Sequence, residues 1–125
     1  MEKKIISTDK APAAIGPYSQ ALEVNGLIYT SGMIPVIPET GEIVEGIKDQ
    51  AMQALKNVKS LLESAGSGMD KIVKTTVFIK NMDDFAAVNE VYASFFSGDF
   101  PARSCVEVAR LPKYVLIEVE AIALK

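Results

Sequence analysis

Histidine is absent from this sequence of 125 residues, tryptophan is absent too, and cysteine occurs once. Without histidine the chain cannot form a Ser-His-Asp or Cys-His nucleophile, use imidazole as an acid or base, or bind a metal through imidazole. A single cysteine excludes an internal disulfide and a thiolate zinc site within one chain, and it is typical of a reducing compartment. Any chemistry must therefore come from carboxylates, arginine, hydroxyls, one thiol and the backbone.

Long apolar runs, an export signal and an excess of positive charge are also missing. The apolar runs fall far short of the ~20 residues that a membrane-spanning helix needs. The N-terminal sequence MEKKIISTDKAPAA contains no apolar segment of the kind that directs export. The 13 basic residues are outnumbered by 16 acidic ones, and they form no cluster suited to phosphates. We therefore expect a cytoplasmic protein that binds neither membranes nor nucleic acid.

The residues that are present predict a single domain over residues 1–125. Hydrophobic residues make up 49% of the chain and charged residues 23%, a balance that disordered chains do not have. A chain of this length buries roughly two-thirds of its unfolded surface, so it can form a stable core without crosslinks.

Periodicity and turn signals predict an α+β fold with the element order β-β-β-α-β-α-β-β. Asn25-Gly26 predicts a two-residue hairpin in which Leu22 pairs with Tyr29. Apolar residues at helical spacing predict helices over 47–65 and 83–96. The strands are predicted at 3–6, 18–24, 27–31, 72–80, 104–110 and 115–124. We expect both helices to lie on one face of the sheet, which leaves the opposite face in need of a cover.

The last two predicted strands follow each other closely, and we expect them to form a hairpin. Side chains on one face of such a hairpin come from alternate residues of each strand. On this register the uncovered face carries Arg103, Cys105, Glu107, Leu116, Glu118, Glu120, Ile122 and Leu124. A face that is part apolar and part ionisable indicates burial against another subunit. The alternatives are a structural face with an ordinary Arg103–Glu118 ion pair, or a register shifted by one residue.

The first hairpin places Tyr18 and Ser31 as diagonal neighbours at the strand ends far from its turn. Gly32 follows directly, and a glycine beside a hydroxyl can let a ligand approach the backbone. A strand that simply ends in a turn explains the same pattern.

Several stretches of the chain form recognisable motifs. They are APAAIGPYSQA at 11–21, YTSGMI at 29–34, PETGEIV at 38–44, TVF at 76–78, MDDFAAVNEVY at 82–92 and PARSCVEVARLPKYVLIEVEAIA at 101–123. Together they resemble the Rid family, also called the YjgF family, of enamine and imine deaminases. The resemblance covers nearly the whole chain, and PARS followed by ARLPK and IEVEAIA is its most specific part.

The resemblance implies a chorismate-mutase-like fold of the bacillus type, with two helices on one face of a mixed sheet. It also implies a homotrimer that binds small 2-imino or 2-keto acids in clefts between its subunits. The implied reaction hydrolyses 2-aminoacrylate-type enamines and 2-imino acids, which pyridoxal-phosphate dehydratases release, to 2-keto acids and ammonia. Neither a metal nor an organic cofactor is expected.

The resemblance further implies roles for individual residues. Arg103 matches the arginine that holds the substrate carboxylate, and Glu118 matches the glutamate that orients or activates the water attacking C2. Cys105 matches a position whose backbone groups meet the substrate nitrogen, and its thiol, with no base to activate it, is expected to be an inert buried group. The other matched cleft positions are Tyr18, Ser31 and Gly32, expected from the neighbouring subunit, and Asn89 near the pocket.

Two other functions stay open at this point. The same cleft could hold a keto acid in a regulatory trimer that modulates a partner protein. Replacing Glu118 with glutamine separates this binding role from an enzyme, because binding alone tolerates the loss of a base better. A ribonuclease or translation inhibitor, roles attached to the wider family, is the least favoured because the chain is acidic and has no histidine.

Overall fold

The computed structural model describes residues 2–125 and consists of a six-stranded mixed sheet with two α-helices. The strands are β1 (Lys4–Ile6), β2 (Ala21–Val24), β3 (Leu27–Thr30), β4 (Ile72–Ile79), β5 (Ala102–Glu107) and β6 (Ile117–Leu124), and the helices are α1 (Ile47–Ser64) and α2 (Phe85–Ala93). The strand order in the sheet is β1-β2-β3-β6-β4-β5. The predicted α+β class and element order are confirmed. Over residues 2–125, no helix combines the length and apolar character needed to span a membrane.

The hairpin of β2 and β3 has the predicted register. Leu22 pairs with Tyr29 and Val24 with Leu27. Asn25 and Gly26 form its two-residue loop, and both have positive φ, as the favoured hairpin turn requires. The predicted strand at 18–24 is too long at its start, because β2 begins only at Ala21.

The expected hairpin between the last two strands is wrong. β4 lies between β5 and β6, and it pairs in parallel with β5 and antiparallel with β6. Cys105 and Val119 flank Val77 of β4 from opposite sides, so all three share a sheet face. The physical reason is that β4, α2 and β5 form a strand–helix–strand unit, whose two strands pair in parallel. Arg103, Cys105 and Glu107 therefore lie on the opposite face from Glu118, contrary to the expected register.

The two helices cover one face of the sheet and build the core there. Val77, Ile117 and Val119 are completely buried on this face, together with Leu55 and Val58 of α1. The buried stripe of α1 thus packs against alternate residues of the central strands.

The opposite face, called the open face below, is uncovered in the single chain. Glu118 and Glu120 lie on it, as predicted. The other side chains there are mostly apolar and exposed or half-buried: Ile5, Leu22, Tyr29, Phe78, Val106, Ile122 and Leu124. Apolar surface of this extent on a sheet face is typical of an interface.

Candidate functional site

The residues expected at the site fall into two groups on opposite faces of the sheet. Arg103 lies beside Thr75 of β4, and Glu118 lies beside Phe78 of the same strand. Residues three apart along a strand point to opposite faces. We call Asn89, Arg103 and Cys105 the arginine half, and Tyr18, Ser31, Gly32 and Glu118 the glutamate half. One chain alone does not bring the two halves together, which corrects the expected shared face of Arg103 and Glu118.

The arginine half is built between the edge strand β5 and helix α2. The Nη1 group of Arg103 donates a hydrogen bond of 2.8 Å to Oδ1 of Asn89. This contact uses one of the five N–H donors of the guanidinium, so the rest of the fork can bind a carboxylate. Arg103 and Asn89 line a cavity of about 420 Å³ with Phe100 and Pro101. The arrangement suits a small anion.

The thiol of Cys105 is half-buried next to Arg103 and packs against the core. Burial raises the pKa of Cys105, and this effect exceeds the lowering by the charge of Arg103. The thiol is therefore neutral at physiological pH, and a neutral thiol is a poor nucleophile.

The glutamate half forms where the chain leaves β3 and runs beside β6. Met33 and Val119 exchange backbone hydrogen bonds of 2.7 and 3.1 Å, which fixes Gly32 against β6. A Cβ atom on Gly32 would lie 2.6 Å from Cδ and 2.9 Å from Cγ of Glu118, and nearer still to Oε2. The Glu118 carboxyl thus rests over the Gly32 backbone, in space that exists only because residue 32 is glycine.

The environment of Glu118 favours a proton acceptor that works nearer to neutral pH than an ordinary carboxylate. Burial raises the pKa of Glu118, and the neighbouring charge of Glu120 raises this pKa further. A carboxylate with a raised pKa is a stronger base toward a bound water.

Ser31 and Tyr18 extend the glutamate half toward the N-terminal loop. The Ser31 hydroxyl donates to the carbonyl of Ser19 at 2.6 Å, and the Ser31 amide donates to the carbonyl of Gln20. Tyr18 is half exposed and accepts a hydrogen bond from the backbone N–H of Ile15. Tyr18 and Gly32 line a largely apolar cavity of about 480 Å³.

Two buried amides that the sequence did not single out hold the loops around this cavity. Gln20 bonds with backbone groups at 8–12 through its side-chain oxygen and nitrogen. Asn57 of α1 donates to the carbonyls of Ile34 and Val36. A polar residue inside the apolar stripe of α1 was the available signal for Asn57. Among residues 2–125, no group of three or more Cys, Asp or Glu side chains is placed to hold a metal.

Comparison with known proteins identifies the family. Residues 8–125 match the family model described as Endoribonuclease L-PSP, and the chain belongs to this family. A 2-iminobutanoate/2-iminopropanoate deaminase of Escherichia coli (strain K12) is 56% identical over 125 residues, which cover 98% of each protein.

Solved structures share the fold of this chain over nearly its whole length. YyfA of Yersinia pestis, described as a protein of unknown function in the conserved Rid protein family, has a TM-score of 0.97 and 52% identity, with 99% of this chain and 100% of that chain covered. E. coli TdcF with bound serine has a TM-score of 0.95 and 51% identity, with 98% of each chain covered. The resemblance to the Rid family and the expected fold are thereby confirmed.

Proposed function

We propose that this protein is a deaminase that hydrolyses 2-aminoacrylate-type enamines and their 2-imino acid tautomers to 2-keto acids and ammonia. The observation that carries the proposal is the division of the site into a guanidinium with unused donors and a half-buried carboxylate with a raised pKa. The first suits the substrate carboxylate and the second suits a water nucleophile. The name of the 56% identical E. coli relative supports this reaction.

The ligand reported for TdcF supports the same substrate class. Serine carries its carboxylate group and its nitrogen on the same carbon, C2, as a 2-imino acid does. TdcF is 51% identical to this chain along nearly its whole length. A pocket of the same kind in this protein would hold a small 2-imino acid.

We further propose that the site is completed between copies of the chain in a homotrimer. The arginine half and the glutamate half are different surface patches on opposite faces of the sheet. Contact between unlike patches is head-to-tail, and such contacts form a ring when the rotation between subunits closes. The apolar open face supplies surface that subunits can bury, and the Rid resemblance implies three subunits.

In the proposed reaction Arg103 holds the substrate carboxylate, and Glu118 of a second copy orients a water beside C2. Glu118 takes a proton from this water as the water oxygen bonds to C2, and the imine nitrogen gains a proton from solvent water. Glu118 then gives its proton to the nitrogen of the resulting carbinolamine. The C–N bond breaks as the carbinolamine hydroxyl loses its proton to solvent water, so that ammonia leaves and a 2-keto acid remains. Because imines already hydrolyse in water, orientation supplies most of the acceleration.

The remaining site residues shape and enclose the cleft. β5 is an edge strand, so some of its backbone N–H and C=O groups point away from β4 and have no partner strand. We assign the Cys105 backbone to the substrate nitrogen on this basis. Tyr18, Ser31 and Gly32 form the wall next to Glu118, and Asn89 orients Arg103. Every step uses groups of the chain and water, with no cofactor.

We do not propose the nuclease activity that the name of the family model suggests. The chain carries 13 basic against 16 acidic residues, and its open face presents Glu118 and Glu120. This balance is unfavourable for binding a phosphate backbone. Cytoplasmic location stays a prediction from the sequence.

The test generates 2-aminoacrylate in place with a serine dehydratase and times the release of keto acid. We expect the protein to accelerate release above the spontaneous rate in proportion to its concentration. If it adds nothing to the spontaneous rate yet binds 2-oxobutanoate, the regulatory alternative replaces the deaminase.

Replacing Gly32 with alanine should lower kcat while the protein stays folded. The new methyl group would occupy the space of the Glu118 carboxyl and displace it. Because a misplacement of about 1 Å can cost ~100-fold in rate, we expect a loss of at least about tenfold in the same assay. Gly98→Ala is the matched control, because a Cβ atom there has no neighbour within 4 Å. Equal activities of the two variants would contradict the assigned place of Glu118.

A further inference from the structure

The guanidinium of Arg103 is enclosed by two aromatic rings of helix α2. Its Cζ atom lies 4.8 Å from the centroid of the Tyr92 ring and 5.4 Å from that of Phe85. Both distances fall within the ~6 Å range of cation–π attraction. Neither ring was singled out from the sequence as part of a site.

Tyr92 is itself fixed by a buried polar contact. Its hydroxyl and the hydroxyl of Thr75 share a hydrogen bond of 2.7 Å. Tyr92 is 5% exposed and Thr75 1% exposed, so both hydroxyls are removed from water. Thr75 also pairs directly with Arg103 across β4 and β5. The ring that faces Arg103 is therefore tied to the strand beside Arg103.

We propose that Tyr92, anchored by Thr75 and assisted by Phe85, is a positioning residue that holds Arg103 ready for the substrate carboxylate. A packing role alone would be filled by phenylalanine, because a buried hydroxyl adds a polar group that must find a partner. Arginine has many rotamers, and fixing them before binding removes an entropy cost from the binding step. The inference rests on the proposed role of Arg103 and names residues that act through it.

We call Tyr92 and Phe85, packed against the Arg103 guanidinium with Thr75 as the anchor of Tyr92, the clamp. The clamp predicts specific changes in KM and kcat. Replacing Tyr92 with leucine removes the ring and should raise KM, and the Kd of 2-oxobutanoate, by about tenfold. Tyr92→Phe keeps the ring but loses its anchor, and we expect a rise of about threefold. In both variants kcat should change by less than about twofold, because the clamp acts on binding and not on the water.

A second substitution separates the positioning role of Tyr92 from a merely structural role. Tyr92→Phe leaves the Thr75 hydroxyl buried without a partner, so it should lower the melting temperature. Adding Thr75→Val removes that hydroxyl and should restore the melting temperature while KM stays raised. If KM returns to the wild-type value together with the melting temperature, the positioning role is overturned.

The deciding experiment measures whether Tyr92 acts through Arg103. Kd of 2-oxobutanoate, by calorimetry, and KM are compared for wild type, Tyr92→Leu, Arg103→Lys and the double variant. Lysine cannot occupy the planar clamp, so Tyr92→Leu should add less than about twofold in the Arg103→Lys background. Tyr114→Leu is the matched control, because the centroid of the Tyr114 ring lies 5.8 Å from the Cζ atom of another arginine, Arg110. This control variant should leave Kd and KM unchanged.

The outcomes separate this inference from the proposed function. Independent, multiplying effects of Tyr92→Leu and Arg103→Lys would overturn the clamp while leaving the deaminase intact. If the protein binds 2-oxobutanoate but does not accelerate deamination, Kd still decides the clamp and only the deaminase fails. A protein that neither binds 2-oxobutanoate nor deaminates would overturn both.

Discussion

Replacing Arg103 with alanine should lower kcat/KM for 2-iminobutanoate by about 100- to 1,000-fold, because the proposed bidentate, charge-assisted contact with the substrate carboxylate would be lost. The rise in KM should carry most of this effect. Arg103 is the one cation of the arginine half, and its guanidinium contacts Asn89, Tyr92 and Phe85, which carry no positive charge. Initial rates of keto acid release, measured over a range of imine concentrations, give kcat and KM.

Arg110→Ala is the matched control for this variant. Arg110 also contacts an aromatic ring, that of Tyr114, but it lies outside both halves of the site. Its replacement should leave kcat/KM within about twofold of wild type, as for most surface changes. Comparable losses in the two arginine variants would mean that overall charge, and not the clamp, governs activity.

Replacing Glu118 with glutamine should lower kcat by about 100- to 10,000-fold, the usual contribution of a positioned general base. Glutamine keeps the size and the hydrogen-bonding shape of the side chain over Gly32, so KM and the fold should change little. The keto acid assay with single-turnover amounts of imine measures this loss. Retention of kcat in Glu118→Gln would show that another group activates the water.

The pH dependence gives an independent check on Glu118. The base must be ionised, and burial and Glu120 hold its pKa above the ordinary value. As pH falls, kcat should therefore begin to drop at a higher pH than it would for an exposed glutamate. Glu120→Gln removes one of the two causes and should move this drop to lower pH while keeping the plateau rate. The drop should disappear in Glu118→Gln.

The sequence predicted the elements well and one strand pairing badly. The Asn25-Gly26 turn and the helical spacing of α1 are local signals, and both features were found as predicted. The error was to pair β5 with β6 because they are neighbours in the chain. The helix between β4 and β5 held the correct information, since a strand, a helix and a strand favour parallel pairing.

That error matters for the site more than for the fold. The resemblance pointed to Arg103 and Glu118, but only the register of β4 shows that they lie on opposite faces. The fit of Glu118 over Gly32 and the bond between Thr75 and Tyr92 join residues far apart in sequence. Contacts of this kind depend on packing, and no periodicity or turn signal encodes them.

Each site is proposed to combine Arg103 of one copy with Glu118 of another, and mixing two inactive variants tests this assembly directly. Arg103→Ala and Glu118→Gln are unfolded together in equal amounts and refolded, and sedimentation verifies the trimer. Random assembly into head-to-tail trimers gives roughly a quarter of the sites both intact groups, so about a quarter of wild-type activity should return. Each variant refolded alone should stay inactive. If the mixed trimers are as inactive as the separate variants, the site does not lie between subunits and the account is wrong.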